Sequence, residues 1–109
     1  EAYILQELLG NCLSKSRLGL RRGYKIGCTS KVMQKYLNVS EPCRGGIFSN
    51  TVHAQDITCP FSDYNRPGVE CEIAVSLGLD LDESGAPYDK DNVVKAIESC
   101  MVAIEIVDD

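Results

Sequence analysis

The run Gly68-Val69-Glu70-Cys71-Glu72-Ile73-Ala74-Val75-Ser76-Leu77 constrains the fold more than any other stretch of the chain. Its β-branched and apolar residues recur at every second position, the period of an extended strand. Alternation sends Val69, Cys71, Ile73 and Val75 to one face and Glu70, Glu72, Ala74 and Ser76 to the other. Glu70 and Glu72 are therefore same-face neighbours. Two like charges at that spacing repel unless water screens them or a cation sits between them. A solvated face of an antiparallel strand and a cation site both satisfy this run on its own.

A chain of 109 residues amounts to one ordinary domain with a modest core. The net charge is −5, and no basic cluster extends beyond Arg17, Arg21 and Arg22, which argues against nucleic acid or an anionic membrane as partner. No apolar run approaches the ~20 residues of a membrane span, and the N-terminus lacks the cationic-then-apolar order of a signal peptide. A cytoplasmic location is the expectation. Six cysteines occur without a Cys-x-x-Cys pair for zinc, and several fall at apolar positions of the pattern. They are expected to be reduced, buried and structural. Glu1 is not an initiator Met and the last residues follow directly on an apolar strand, so the sequence reads as a fragment.

Helical spacing of Ile4, Leu5, Leu8, Leu9, Cys12 and Leu13 predicts an amphipathic N-terminal helix within residues 1–18, followed by residues 19–109 as the rest of the chain's single domain. Tyr24 to Cys28 reads as a short strand with Lys25 opposite to Tyr24 and Ile26. Thr29 or Ser30 caps a helix reaching Leu37, and Ser40 to Gly46 reads as a loop shaped by Pro42, Gly45 and Gly46. Ile47-Phe48 and Ile57-Thr58-Cys59 are expected to be short strands flanking a polar turn that holds His53, the sole histidine, in a surface role. The Glu-x-Glu strand is expected to end near Leu81, before the acidic loop 82–87. Asp89 or Asp91 then starts a helix reaching Cys100, and Met101 to Val107 reads as a buried strand.

That last strand is interrupted by one charge, Glu105, between Ala103-Ile104 and Ile106-Val107. A carboxylate in such company is costly to bury unless something pairs with it. If the two strands share a sheet or face each other, Glu105 comes beside Glu70 and Glu72. Three carboxylates around one point make a site for a hard divalent cation, of which Mg²⁺ is the usual choice.

Gly23-Tyr24-Lys25-Ile26-Gly27-Cys28-Thr29-Ser30, Met33-Gln34, Pro42 with Gly45, Val69-Glu70-Cys71-Glu72-Ile73-Ala74, and Ala103-Ile104-Glu105-Ile106-Val107-Asp108 form an ordered set along the chain. That set resembles the 2-keto-4-pentenoate hydratase and 4-oxalocrotonate decarboxylase branch of the fumarylacetoacetate hydrolase superfamily, whose members are more than twice as long. The resemblance implies an α+β fold: a mixed β-roll of the fumarylacetoacetate hydrolase C-terminal-domain type with flanking helices, of which this is the N-terminal half. It further implies that Glu70, Glu72 and Glu105 bind Mg²⁺ or Mn²⁺ and that Lys25 lies beside a small 2-oxo acid substrate, offsetting negative charge and donating a proton.

The activity so implied is a metal-dependent lyase, a hydratase working through an enolate. Alternatives within reach are a 2-oxo-dicarboxylate decarboxylase, an acylpyruvate-type carbon–carbon hydrolase relying on His53, and a non-catalytic partner subunit. A homo-oligomer or a complex with a homologous subunit is implied as well. One departure bears on the choice: the look-alike hydratases carry an acidic residue directly after the proline, where this chain has Cys43-Arg44. Arg44 is either a bidentate ligand for a second substrate carboxylate or a surface arginine.

Overall fold

The computed structural model describes residues 1–108. They form α1 (Ala2–Ser14), β1 (Arg21–Gly27), α2 (Lys31–Tyr36), β2 (Cys43–Phe48), β3 (Pro67–Leu77), α3 (Lys90–Ala96) and β4 (Ile97–Asp108), with single 3₁₀ turns between them. The α+β character that the resemblance implies is present, with both sheets two-stranded and antiparallel. The elements fall into two compact units, one spanning Glu1–Ile57 and one beginning at Thr58.

In the first unit β1 pairs with β2, Ile26 opposite Arg44 and Lys25 opposite Gly45. Cys43 to Gly46 is therefore strand, not the loop that Pro42 and the glycines predict. Pairing decides the matter, because the ladder bonds that β1 needs come from this segment. Gly46 permits a close approach that any side chain would block: a Cβ there would sit 2.9 Å from the Phe48 ring. The same ring lies against Gly10 of α1, where a Cβ would be 3.1 Å away. Phe48 thus fits between helix and strand through two missing side chains.

Two arginines fasten α1 to this sheet. Arg21 donates to the Glu7 carboxylate, and Arg44 lies 3.6 Å from its other oxygen. The Arg44 guanidinium stacks 4.8 Å from the Tyr3 ring centroid and 5.5 Å from that of Tyr24. The Arg44 N–H also donates to the Tyr3 hydroxyl, and Gln6 donates to the Arg44 carbonyl. After β1, Ser30 caps α2 as expected, its hydroxyl accepting from Met33 N–H at 3.2 Å.

The expected strand at Ile57–Cys59 does not form. Pro60 has no N–H to donate to a ladder, and Ile47 and Phe48 are already paired to β1. In the second unit β3 stops at Leu77 rather than Leu81: the register slips between Ser76 and Leu77, and the cross-strand bond from Gly78 N–H to the Ala96 carbonyl at 2.8 Å falls where the partner strand gives way to helix α3. Asp89 caps α3 through Asn92 N–H at 2.8 Å. That helix ends at Ala96 instead of Cys100: Ile97 is already extended, and residues from there on pair with β3. A seven-residue helix gains little on its own, so strand pairing wins.

Among the described residues, Ala96 at 2% and Gln34 at 4% exposure are the ones closed to solvent. The apolar face of β3 and β4 is open, with Ile73 78% and Val102 89% exposed. Met101 to Val107 is thus strand as expected but not buried. The six cysteines are free, also as expected, yet none is buried: Cys28 and Cys59 are half-buried and the others exposed. The described helices include none long and apolar enough to cross a membrane.

Candidate metal centre

The carboxylates converge because of one register. β3 and β4 pair antiparallel with Glu70 directly opposite Glu105 and Glu72 opposite Ala103. Residues opposite each other share a face, so the strand alternation that puts Glu70 and Glu72 together also adds Glu105. One carboxylate oxygen from each of the three lies within 4.8 Å of the others. Glu70 and Glu72 are exposed and Glu105 is half-buried. Opposite Glu72, the small Ala103 leaves the face open toward Glu105.

Asp108 fixes the register at the strand end. Its carboxylate accepts from Asn65 N–H at 2.8 Å, from Arg66 N–H at 2.7 Å and from the Asn65 side-chain amide at 3.3 Å. It pairs with Pro67, a residue that has no N–H to donate to the ladder, so side-chain bonds take over where backbone bonds stop. Sequence reasoning quoted Asp108 in the motif but gave it no role. An acidic residue closing an apolar strand, with an Asn-Arg-Pro turn elsewhere in the chain, was the available signal.

Lys25 and Arg44 belong to the first unit. They occupy adjacent cross-strand positions of the β1–β2 ribbon and point to opposite faces. Arg44 lies on the face covered by α1, held by Glu7, Tyr3 and Tyr24. Lys25 lies on the other face, its stem beside Gly45, where an added Cβ would be 3.5 Å from Lys25 Cγ. The structure therefore does not bring Lys25 and Arg44 together, whereas it does bring together the three glutamates. His53 is exposed in an irregular segment.

Three carboxylates without nitrogen or sulfur donors are the ligand set of a hard divalent cation. Octahedral ligands at 2.1 Å from Mg²⁺ lie about 3 Å apart when adjacent. A spread of 4.8 Å is within side-chain rotation of that geometry, so the residues fit the ion.

Fold and site together define, first, an α+β chain with an all-carboxylate cluster on one sheet face. Comparison with protein-family models gives no match. The chain is 37% identical over 108 residues to a 2-keto-4-pentenoate hydratase of Paraburkholderia xenovorans, covering 98% of this chain and 39% of that protein. It is 33% identical over 107 residues to a 2-keto-4-pentenoate hydratase of Burkholderia vietnamiensis, covering 98% and 40%. It is 40% identical over 85 residues to the TodF product hydratase of Pseudomonas putida, covering 78% and 31%. The chain spans at most about 40% of the length of these curated relatives. Over that span it belongs to the 2-keto-4-pentenoate hydratase family.

Proposed function

We propose that this chain carries the metal-binding part of a lyase that hydrates a small 2-oxo acid of the 2-keto-4-pentenoate type, within a β-roll of the fumarylacetoacetate hydrolase kind. The observation that carries the reading is the convergence of the Glu70, Glu72 and Glu105 oxygens within 4.8 Å. The hydratase names of its relatives support the reaction class.

Glu70, Glu72 and Glu105 would hold Mg²⁺ or Mn²⁺. Bound there, the ion would supply Lewis acidity toward a 2-oxo group. The glutamates would hold the ion on one sheet face, since their backbone is set by the β3–β4 ladder. Three carboxylates also outweigh a dication by one charge, so an anionic substrate requires a further cation. Lys25 is proposed for that role and for proton transfer, on the resemblance of its Gly23–Ser30 segment. Arg44 is assigned to docking α1, because Glu7, Tyr3 and Tyr24 already engage its guanidinium.

The test uses the full protein, stripped with a chelator and assayed for hydration of 2-keto-4-pentenoate with and without added Mg²⁺ or Mn²⁺. Turnover restored by metal in the wild type, and lost in Lys25→Met while Mn²⁺ binding persists, supports both assignments. Turnover that ignores the chelator overturns the metal role, and an unaffected Lys25→Met overturns that of the lysine.

A further inference from the structure

Only one side of α1 is used in packing. Tyr3, Gln6, Glu7 and Gly10 share that side, and each meets the β1–β2 ribbon. The Tyr3 hydroxyl accepts from Arg44 N–H, Gln6 donates to the Arg44 carbonyl, Glu7 engages Arg21 and Arg44, and Gly10 lies against the Phe48 ring. Successive residues of a helix turn by about 100°, which sends Ile4, Leu5, Leu8 and Cys12 to the opposite side, with Leu9 at its edge. These five are exposed, Leu5 to 66% and Leu8 to 58%. The helix therefore carries an apolar stripe that faces away from its own sheet, a kind of surface left in water only at a cost.

The charges at the ends of the stripe say what fits it. By the same rotation Glu1, the N-cap, and Lys15, the C-cap, fall on the stripe side and close it at its two ends. They are about 21 Å apart along the axis, too far to pair within one helix. An acid at one end and a base at the other make the stripe self-complementary when it is turned end for end.

We propose that the outer face of α1 docks on the same face of a second copy of this chain, the two helices running antiparallel about a two-fold axis at Leu8. Position 8 is midway between Glu1 and Lys15, so Leu8 meets Leu8, Ile4 of each copy meets Cys12 of the other, and Glu1 of each meets Lys15 of the other. A parallel pair would instead set Glu1 against Glu1 and Lys15 against Lys15. The antiparallel pair also brings the positive end of each helix dipole beside the negative end of its neighbour. A helix of 13 residues is too short to bury the ~800 Å² per partner of a stable interface, so the contact is weak by itself and is best read by trapping. It does not depend on the hydratase reading.

The test is oxidation of the full protein, as wild type and as Leu8→Cys, followed by alkylation and mapping of linked peptides, which report on α1 whatever other contacts the copies make. Leu8→Cys is expected to give a disulfide joining position 8 of two copies. Wild-type Cys12, equally exposed, is expected not to link to itself, because the two copies of position 12 lie about 12 Å apart along the helices, beyond the ~7 Å reach of a disulfide. Adding Glu1→Lys to Leu8→Cys should lower the yield several-fold, and adding Lys15→Glu as well should restore it. Loss of helix stability cannot imitate that rescue, since the double reversal opposes the helix dipole at both ends. A position-8 link no more abundant than a Cys12–Cys12 link would overturn the proposal, as would failure of the double reversal to restore it. So would a position-8 thiol shielded from alkylation and unlinked, which would mean that another part of the full chain covers the stripe.

Discussion

Glu70 and Glu105 are direct partners across the antiparallel β3–β4 pair, and Glu72 lies two residues along from Glu70 on the same face. The arrangement puts like charges opposite each other, which a sheet tolerates only at a cost. The same arrangement becomes favourable when a dication is shared. The sign of a mutation here should therefore depend on metal.

In metal-free protein, Glu70→Gln relieves the opposed charges, and its thermal midpoint is expected to lie a few degrees above that of wild type. The stabilisation is of order 0.2–1 kcal/mol for one relieved cross-strand pair. In saturating Mg²⁺ the order should invert, because the variant has lost a ligand. Scanning calorimetry of both proteins with and without the ion decides the point.

Asp108 is a register clamp, accepting from the backbone N–H groups of Asn65 and Arg66. Asp108→Ala leaves those donors to water and should lower stability by about 1 kcal/mol, the usual worth of such bonds at an exposed site. A shift in the urea midpoint measures it. Because the clamp sets the Glu70–Glu105 pairing, Mn²⁺ affinity should fall as well, although Asp108 does not belong to the carboxylate cluster.

Glu7 engages both Arg21 and Arg44. Glu7→Ala should loosen α1 from the first sheet, read as faster proteolysis within residues 1–18 with the rest of the chain unaffected. Arg44→Lys should do the same more weakly, since a lysine keeps the charge but loses the planar stacking on Tyr3 and Tyr24.

Asp82 accepts from the Ser84 hydroxyl and from the N–H groups of Ser84 and Gly85, which hold its carboxyl below the ordinary carboxylate pKa. A depressed folded-state value means that the charged form is favoured on folding, so this contribution is complete above the unfolded value and fades as pH falls through the folded one. At neutral pH it is fully present. Carboxyl NMR titration should show Asp82 ionising below the usual range, and Ser84→Ala should move it back up.

Several parts of this architecture were legible in sequence because they rest on local periodicity. The alternation around Glu70 and Glu72 named their shared face, and the Ser30 and Asp89 caps marked two helix starts. Glu105 stood out as a lone charge in an apolar strand. The register that joins it to Glu70 was not legible, since it comes from pairing between segments that are distant along the chain. The same cause hid β2, whose glycines look like a loop until β1 is laid beside them, and it shortened α3, whose last apolar residues fit a helical stripe and a strand equally well. The stacking of Arg44 on Tyr3 and its approach to Glu7 were not legible either, because neither residue is near it in sequence.

The central claim is that three glutamates on one sheet face bind a divalent cation for 2-oxo acid chemistry. Calorimetric titration of the full protein with Mn²⁺, with oxalate as a stand-in for the substrate's carboxylate and 2-oxo oxygens, tests it most directly. The account predicts saturable binding in wild type, tightened by oxalate and weakened roughly 10–100-fold or more in Glu72→Gln. No binding in folded wild-type protein, or equal binding in the variant, would contradict it and leave Glu70, Glu72 and Glu105 as a solvated face.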